Sequence, residues 1–334
     1  MSRMNKNEIV NLFKSFNQLN VLIIGDVMID SYYYGDVNRI SPEAPVPIVS
    51  VNKKDNRLGG AANVALNLKA LGANPILCAV IGKDLAAENF KALLKTEALT
   101  AEGIIGSSER ITTVKTRIIG NNHQVLRVDS EDDAPLSENE NKHLNKAILT
   151  LIDTQKIDVV IFQDYDKGVI TPDLIKNIIS ICNTKGIPTA VDPKKRNFSH
   201  YKKATLFKPN LKELKEGLNI EIDPSNALAV ESAIDQLNAT QQHQINFITL
   251  SEYGVFIKET TNSNQIPAHR RSISDVSGAG DTVISVASLC LALNQPISMI
   301  AEIANLAGGL VCESVGVVPI DKDQLLSEAI TNLI

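Results

Sequence analysis

Residues 275–282 read Asp-Val-Ser-Gly-Ala-Gly-Asp-Thr, a glycine-rich turn followed by an apolar run from Val283 to Leu293. This pattern predicts a loop leading into a helix, whose first backbone N–H groups lack partners within the helix and favour a bound anion. Asp281 falls in the first turn of that helix. Phosphoryl transfer needs such N–H donors and a base for the attacking hydroxyl. An ordinary helix start with one acidic residue would have the same pattern, so the rest of the chain must decide.

The composition is that of a soluble globular protein. The chain has 334 residues, of which 44% are hydrophobic and 21% charged, and its net charge is −5. No apolar run reaches transmembrane length and the polar start lacks a signal-peptide core, so we expect a cytoplasmic protein without a membrane partner. The four cysteines have neither metal-ligand nor redox spacing, which predicts buried free thiols. Mild acidity and the absence of tryptophan argue against nucleic acid as the main partner.

Strand-like and helix-like segments alternate along most of the chain. Val21-Leu22-Ile23-Ile24 has the continuous apolar character of a buried parallel strand. Such alternation predicts a mostly parallel sheet with helices on both faces, in one α/β domain over residues 1–334. Further strands are predicted at residues 76–81, 159–162, 188–191, 205–207 and 246–250, a hairpin at 254–272, and helices at 5–19, 59–71, 84–96, 137–153, 171–183, 211–216, 225–238, 280–293 and 297–313.

Two β-rich segments interrupt this alternation. Residues 31–54 contain a run of three tyrosines and several prolines that exclude a helix. Residues 111–129 have two apolar runs around a Gly-Asn-Asn turn, which predicts a hairpin. No crossover helix separates the strands of either segment, so both are expected to leave the main sheet. Together they predict a small β-sheet that acts as a lid.

Polar side chains directly follow five of the predicted strands. Open α/β sheets bind ligands at the carboxyl ends of their strands, so this arrangement predicts a site along one edge. The chain has no Gly-x-x-x-x-Gly-Lys-Ser/Thr and no Gly-x-Gly-x-x-Gly after its first strand, which argues against a P-loop enzyme and a Rossmann dehydrogenase. The polar residues are Asp26 and Asp30, Asp164, Tyr165 and Lys167, Asp192 and Lys194, Asn210 and Glu213, and Ser251 and Glu252.

Two separated signatures resemble the ribokinase-like (PfkB) family of carbohydrate kinases. They are Gly59-Gly-Ala-Ala-Asn63 and the stretch 275–282, with Asn210-Leu-Lys-Glu213 between them as the family's Asn-x-x-Glu element. The resemblance implies a ribokinase-like three-layer αβα sandwich with a β lid and ATP-dependent phosphorylation of a sugar. Within the family, Arg39-Ile-Ser-Pro-Glu-Ala-Pro-Val-Pro47 is similar to the branch that phosphorylates D-glycero-D-manno-heptose 7-phosphate at O1. That branch serves nucleotide-activated heptose, a lipopolysaccharide core precursor.

The resemblance also implies roles for the reacting residues. Asp281 would be the general base on the sugar hydroxyl, and the backbone amides of Gly278, Ala279 and Gly280 would form the anion hole for the transferring phosphoryl group. The lid would cover the sugar and would pair two subunits into a homodimer. The expected contacts to the sugar-phosphate substrate are Asp26, Asp30, Arg39, Gly59, Gly60, Asn63 and Arg117.

The nucleotide and its cations are assigned in the same way. The resemblance places Mg²⁺ near Glu213, although this side chain could instead only complement the charge of a helix N-terminus. Asp275 and Ser277 suggest a monovalent-cation site for K⁺, since Ser277 keeps the hydroxyl that many relatives provide as threonine. The expected ATP contacts are Lys194, Asn210, Glu213, Ser251, Gly254 and Asn305.

A substrate that already carries a phosphate needs a fixed cation, and arginine is the best donor for it. The predicted lid contains Arg39, Lys115, Arg117 and Arg127, which favours a phosphorylated sugar over free ribose. The alternative is that these side chains face solvent or pair with the acidic run 129–133.

Asp166 departs from the family pattern, because a small or neutral residue is expected there. Its charge would either approach that of ATP or point to solvent. The His-x-Gly-His motif of a fused nucleotidyltransferase is absent, so the expectation is a kinase acting alone. Two other functions stay open, a kinase for a different sugar and a non-catalytic sugar or nucleotide sensor.

Overall fold

The computed structural model describes residues 5–269 and 271–334. Two β-sheets and the helices around the larger one make up these residues. The helices are α1 Lys6–Ser15, α2 Ala61–Ala70, α3 Leu85–Thr96, α4 Glu138–Thr154, α5 Pro172–Lys185, α6 Leu211–Leu218, α7 Ala227–Gln241, α8 Ala279–Ala292, α9 Ile297–Val311 and α10 Lys322–Leu333. The strands are β1 Asn20–Gly25, β2 Val27–Ile40, β3 Pro47–Gly60, β4 Asn74–Gly82, β5 Ile104–Ser107, β6 Val114–Gly120, β7 His123–Ser130, β8 Val159–Gln163, β9 Thr189–Asp192, β10 Leu206–Phe207, β11 Ile245–Thr249, β12 Val255–Glu259 and β13 Asn262–Ile266.

The central sheet has nine strands in the order β13-β12-β11-β10-β9-β8-β1-β4-β5. Every pair from β11 to β5 is parallel, and only β12 and β13 add antiparallel strands at one edge. Strand β1 lies between β8 and β4, where the chain order changes direction. Crevices of this kind, at the carboxyl ends of the strands, are where open α/β sheets bind ligands.

Helices cover both faces of this sheet, which confirms the predicted three-layer αβα architecture. Side chains of β1 alternate between two cores: Val21 and Ile23 pack with α1, α2, α3, α8, α9 and α10. Leu22 and Ile24 pack on the opposite face with α4, α5, α6 and α7. A strand that is buried on both faces therefore has a continuous run of apolar residues in its sequence.

The lid is the second sheet, with four strands in the order β3-β2-β6-β7. Strand β2 pairs antiparallel with β3 and parallel with β6, and β6 pairs antiparallel with β7. The two β-rich segments of the sequence thus join into one sheet, as predicted. The strands are longer than expected, because β2 starts at Val27 and β3 continues to Gly60 at the start of α2.

Most predicted elements are present with ends shifted by a few residues. The helix expected over 5–19 ends at Ser15 and continues as one 3₁₀ turn, and the predicted hairpin at 254–272 contains β12 and β13, with residue 270 outside the described residues. Strand β5 and helix α10 were not predicted. All four cysteines are buried and free, as expected. Among the described residues, no helix is long and apolar enough to cross a membrane.

Candidate active site

A cavity of about 530 Å³ opens at the carboxyl ends of β8, β9, β10 and β11, below the start of α8. Each strand contributes the polar residue with which it ends or one that follows, so the predicted sheet edge carries a cavity lined by these residues. Residues that line the cavity and matter for its chemistry include Gln163, Asp192, Lys208, Ser251, Gly278 and Asp281.

Asp281 lies in the first turn of α8 and is 6% exposed. Three donors hold its carboxylate. Oδ1 accepts from the Tyr165 hydroxyl at 2.7 Å and from the Gln163 amide at 3.1 Å, and Oδ2 accepts from the Asn63 amide at 2.6 Å. These donors come from α2 and from β8 with the loop after it, so two distant parts of the chain fix one carboxylate.

The electrostatic surroundings raise the proton affinity of this carboxylate. Burial raises the pKa of Asp281 from its ordinary 3.8 to about 6, while the bonds from Asn63 and Tyr165 lower it and the charge of Asp192 raises it further. Burial likewise raises the pKa of the Tyr165 hydroxyl well above 10, and the charge of Asp281 adds to that effect. At neutral pH Asp281 is therefore ionised, Tyr165 is a neutral donor, and the pKa of the acid lies near the range useful to a general base.

The glycine-rich turn places backbone beside this carboxylate. Gly278 is the N-cap of α8 with φ of +81°, a left-handed conformation that glycine adopts without strain. A Cβ at this position would also lie 3.2 Å from the Asn63 amide nitrogen. N–H groups in the first turn of a helix have no acceptor within the helix. The N–H of Ala279 instead donates to the Val276 carbonyl in the preceding turn, at 3.3 Å. The anion hole at residues 278–280 stays a prediction, and the Ala279 donor is partly engaged in the turn.

A buried ion pair forms the floor of the cavity. The Lys208 ammonium lies 3.1 Å from Asp192, and the two side chains are only 2% and 7% exposed. Gln163 donates to the same Asp192 oxygen at 3.3 Å, which links the pair to Asp281. A Cβ on Gly280 would lie 3.9 Å from the Lys208 ammonium. A fixed positive charge therefore lies directly beside the start of α8.

Lys194 and Glu213 form a second ion pair at the rim. Burial lowers the pKa of Lys194, but the charges of Asp192 and Glu213 outweigh it and hold the pKa above its usual range. Asn210 and Glu213 form a reciprocal capping box on α6: the Glu213 N–H donates to Asn210 Oδ1 at 2.8 Å, and the Asn210 N–H donates to Glu213 Oε2 at 2.9 Å. This element thus starts a helix whose first residues line the cavity.

The donor set does not form a ready Mg²⁺ site. One oxygen of Glu213 accepts from the Asn210 N–H and the other pairs with the Lys194 ammonium, so a cation at Glu213 would have to displace Lys194. Among the described residues, no group of three His, Cys, Asp or Glu side chains could hold a metal ion. Mg²⁺ at Glu213 stays a prediction, and no step below passes through it.

Asp275 and Ser277 face each other across the turn. Asp275 Oδ1 accepts the Ser277 N–H at 2.9 Å and Oδ2 accepts the Gly316 N–H at 3.0 Å. The bond from Ser277 is the main reason that the pKa of Asp275 is lowered, so this carboxylate stays ionised. The predicted monovalent-cation site therefore has an anion held in place, and occupancy by K⁺ stays a prediction.

The remaining nucleotide residues lie around the same end of the sheet. Ser251 lines the cavity and has φ of +55°. Gly254 has φ of +84°, and a Cβ there would meet the Ile266 carbonyl at 2.0 Å. The Asn305 amide donates to the Pro267 carbonyl at 2.9 Å and ties α9 to the segment after β13. Gly254 and Asn305 therefore shape the loops at the predicted ATP site.

The carboxylate of Asp26 is bound within the protein, which a role in sugar binding alone would not require. It is 1% exposed, and its carboxylate accepts the backbone N–H groups of Tyr165, Lys167 and Val169 at 2.8, 3.2 and 2.9 Å. Burial nevertheless raises its pKa. Asp26 therefore anchors the loop after β8, and contact with a sugar hydroxyl would have to use its remaining lone pairs.

The glycine pair at the end of β3 makes room for aspartates. A Cβ on Gly59 would lie 2.2 Å from Asp30 Oδ2, and a Cβ on Gly60 would lie 2.4 Å from the Asp26 carbonyl. Gly60 also has φ of +62° as the N-cap of α2, and Asn63 follows it three residues later in the first turn of the helix. The signature thus places β2, β3 and α2 in close contact, which brings Asn63 to Asp281.

The lid cations differ in what they contact. Arg117 pairs with Asp30 and lies 5.2 Å from the centre of the Tyr32 ring. Lys115 binds Asp129 and Glu131, and Arg127 binds Asp129, as in the alternative that pairs lid cations with the acidic run. Arg39 lies at the exposed far end of β2. The structure therefore separates Arg39 from Arg117, although both were predicted to bind substrate.

Four residues matter more than the sequence had indicated. Gln163 and Lys208 each end or follow a strand, which is the same signal that singled out Asp192, but they had no motif to mark them. Arg57 of β3 lies 4.9 Å from the centre of the Tyr32 ring, which Arg117 of β6 also approaches. Asp166 has φ of +56°, and its buried Oδ1 atom has no hydrogen-bond partner.

Comparison with known proteins identifies the family. The description "pfkB family carbohydrate kinase" matches residues 18–323. Bifunctional protein HldE of Methylobacillus flagellatus is 41% identical over 308 residues, and HldE of Helicobacter pylori strain J99 is 39% identical over 296 residues. These alignments cover 92% and 89% of this chain but only 62% and 63% of the relatives' lengths.

Solved structures agree on the fold. Phosphofructokinase-2 from Escherichia coli in complex with potassium superposes with a TM-score of 0.78 at 18% identity, covering 94% of this chain and 99% of the other. A sugar kinase from Clostridium perfringens superposes with a TM-score of 0.73 at 16% identity, covering 93% and 95%. The chain therefore belongs to the pfkB family of carbohydrate kinases, which are ATP-dependent phosphotransferases.

Proposed function

We propose that this chain transfers the γ-phosphoryl group of ATP to O1 of D-glycero-D-manno-heptose 7-phosphate, giving the 1,7-bisphosphate. The observation that carries the reaction type is the buried Asp281 carboxylate at the start of α8, beside the glycine turn and the Lys208 ammonium. The choice of heptose rests on the similarity to HldE and on the run Arg39–Pro47.

Asp281 acts on the acceptor hydroxyl. As the hydroxyl oxygen attacks the γ-phosphorus, its proton passes to Asp281, the bond from the γ-phosphorus to the bridging oxygen breaks, and ADP leaves with that oxygen. Negative charge on the transferring group lies against the first N–H groups of α8, where the helix dipole and free donors stabilise it. The bonds from Asn63, Gln163 and Tyr165 keep the carboxylate oriented during the transfer.

Cations at the cavity suit the nucleotide phosphates. Lys194, Lys208 and Lys212 all line it, and each also has a carboxylate partner. Their partners keep the ammonium groups in fixed positions before ATP arrives, so little side-chain entropy is lost on binding. We expect Asn210 and Ser251 to contact the nucleotide from the same wall.

The lid provides the cations for the 7-phosphate. Arg57 and Arg117 approach the same Tyr32 ring, at 4.9 and 5.2 Å, and a guanidinium pair can grip a phosphate through several N–H donors. Asp30 and Asp55 hold the two arginines in the absence of substrate. Arg39, at the exposed end of β2, would reach this phosphate only from another position of the lid.

An ATP-consumption screen tests this proposal. The purified chain is offered heptose 7-phosphate, the same heptose without phosphate, fructose 6-phosphate and ribose, and the product position is assigned by ³¹P and ¹³C NMR. We expect turnover with heptose 7-phosphate and a product phosphorylated at O1. Preference for another sugar would keep the kinase and refute the heptose assignment, whereas no ATP consumption with any sugar would revive the sensor hypothesis.

We further propose that the chain works in the cytoplasm, in the synthesis of nucleotide-activated heptose, as a homodimer joined through the lid. Exposed apolar side chains on the lid strands support the dimer, among them Ile40, Val51, Leu126 and Val128. Such side chains on one small sheet favour burial against a partner. Sedimentation of the native chain and of Leu126→Asp tests it: a monomer in the native chain would contradict the proposal.

A further inference from the structure

Tyr165 is one of the three donors that orient the proposed base. Tyr165 lies in the loop after β8, and its hydroxyl donates to Asp281 Oδ1 at 2.7 Å. The Gln163 amide donates to the same oxygen at 3.1 Å, whereas Oδ2 receives only the bond from Asn63. Each carboxylate oxygen offers about two lone-pair directions, so Oδ1 is fully used and Oδ2 keeps one free.

The loop that carries Tyr165 is held in one position. Asp26 accepts the backbone N–H groups of residues 165, 167 and 169, and the Lys167 side chain pairs with Glu131 at 2.7 Å. Glu131 also binds Lys115 of the lid at 2.8 Å. Because its backbone is tied to both the sheet and the lid, Tyr165 can impose a direction on Asp281.

The charged groups around this contact are few and fixed. The Asp192–Lys208 pair lies on the floor, and the Lys194 ammonium lies 5.9 Å from the centre of the Tyr165 ring. Asp192 disfavours ionisation of Asp281 and Lys208 favours it. Tyr165 thus gives Asp281 an uncharged donor beside these charged groups.

We propose that Tyr165 is a positioning residue, whose hydroxyl occupies Oδ1 of Asp281 and thereby leaves Oδ2 to take the proton of the acceptor hydroxyl. The inference rests on the proposed function, because it assigns Oδ2 as the atom that receives the proton. It also makes the loop after β8, rather than α8 alone, part of what orients the base.

Tyr165→Phe tests this contact, with Tyr201→Phe as the matched control. Tyr201 is fully buried, and its hydroxyl donates to a different carboxylate, Asp164, at 2.8 Å. Both variants lose one hydroxyl that bonds an aspartate and keep the aromatic ring. A purely structural role would therefore affect both alike.

Two measurements are made on each protein. The pH dependence of kcat/KM reports the ionisation of the base during turnover, and ¹³C NMR of labelled aspartate carboxyls reports Asp281 directly, its signal identified by its loss in Asp281→Asn. Since the hydroxyl stabilises the ionised form, its removal is expected to move the Asp281 transition upward by about one pH unit. As a result, kcat/KM of Tyr165→Phe falls about fivefold more at pH 6 than at pH 8.

The outcomes separate the two proposals. An upward shift in Tyr165→Phe by both measurements, with no shift in Tyr201→Phe, supports the positioning role. An Asp281 signal that does not move, or that moves equally in both variants, overturns it even if turnover falls. A shifted signal in a protein that consumes no ATP with any sugar refutes the proposed function and, with it, the assignment of Oδ2 as proton acceptor.

Discussion

Replacing Asp281 with asparagine should lower turnover by a factor of about 10²–10⁴ and yet stabilise the fold. The amide has the shape of the carboxylate but cannot take the proton of the acceptor hydroxyl. General-base catalysis contributes about 10²–10⁴ in rate, so kcat/KM is expected to fall by that factor, or about 3–5 kcal/mol of transition-state stabilisation.

The gain in stability follows from the pKa of the carboxyl. Burial raises this pKa from 3.8 to about 6 in the folded protein. Because the folded value lies above the unfolded one, the folded protein binds more protons between about pH 4 and pH 6, and its stability falls as the pH rises through this window. A difference of about 2 pH units corresponds to ~3 kcal/mol, which the ionised carboxylate costs the fold above pH 6.

The asparagine amide can be accommodated in the same place. Its NH₂ group would face the NH₂ group of Asn63, so two donors would meet. The Asn63 Oδ1 atom, however, is buried and has no hydrogen-bond partner. Rotation of the Asn63 amide by half a turn would present this oxygen to the new donor. Asp281→Asn therefore need not leave an unsatisfied buried donor, whose cost of about 1–3 kcal/mol would offset the gain.

Urea unfolding followed by circular dichroism at pH 8 and pH 4, together with an ATP-turnover assay, checks this prediction. Asp281→Asn is expected to be more stable than the native chain by up to about 3 kcal/mol at pH 8 and nearly equal to it at pH 4. Asp173→Asn, at an exposed position in the first turn of α5, serves as the control and should change neither quantity. Retained turnover, or a loss of stability at pH 8 that is absent at pH 4, would refute the reasoning.

Three further perturbations follow from the same contacts. In the native chain, kcat/KM should fall tenfold per pH unit below about pH 6, because the base must be ionised, and a flat profile down to pH 5 would exclude this carboxylate. Lys208→Met leaves Asp192 buried without its cation and should cost about 3–5 kcal/mol in urea unfolding, most of it recovered when Asp192 is also changed to Leu. Gly59→Ala places a methyl group 2.2 Å from an Asp30 oxygen and should lower turnover more than tenfold. Gly106→Ala is the control, because the nearest neighbour of its methyl group would lie at 3.6 Å. Equal effects of the two changes would show that the contact does not matter.

Much of the fold could be read from local pattern. The apolar run at residues 21–24 predicted a strand buried on both faces, and β1 does supply two opposite cores. Strand β5 was missed because four residues at a sheet edge have no distinct pattern, and α10 because its amphipathic stretch follows the last recognised signature. The ends of β2 and β3 were misplaced because pairing between them, rather than propensity, extends both strands.

The stretch 275–282 by itself determined that a helix starts beside an acidic residue and a glycine turn, since these depend on neighbours in sequence. Only the tertiary structure decided what surrounds Asp281: Asn63 lies 218 residues away in the chain, Gln163 lies 118 and Tyr165 lies 116. The pKa of the carboxyl and the oxygen it leaves free depend on burial and on these distant donors. Local sequence determines the backbone geometry. The electrostatics of a site depend on strands and helices that are far apart in the chain and meet at one edge of the sheet.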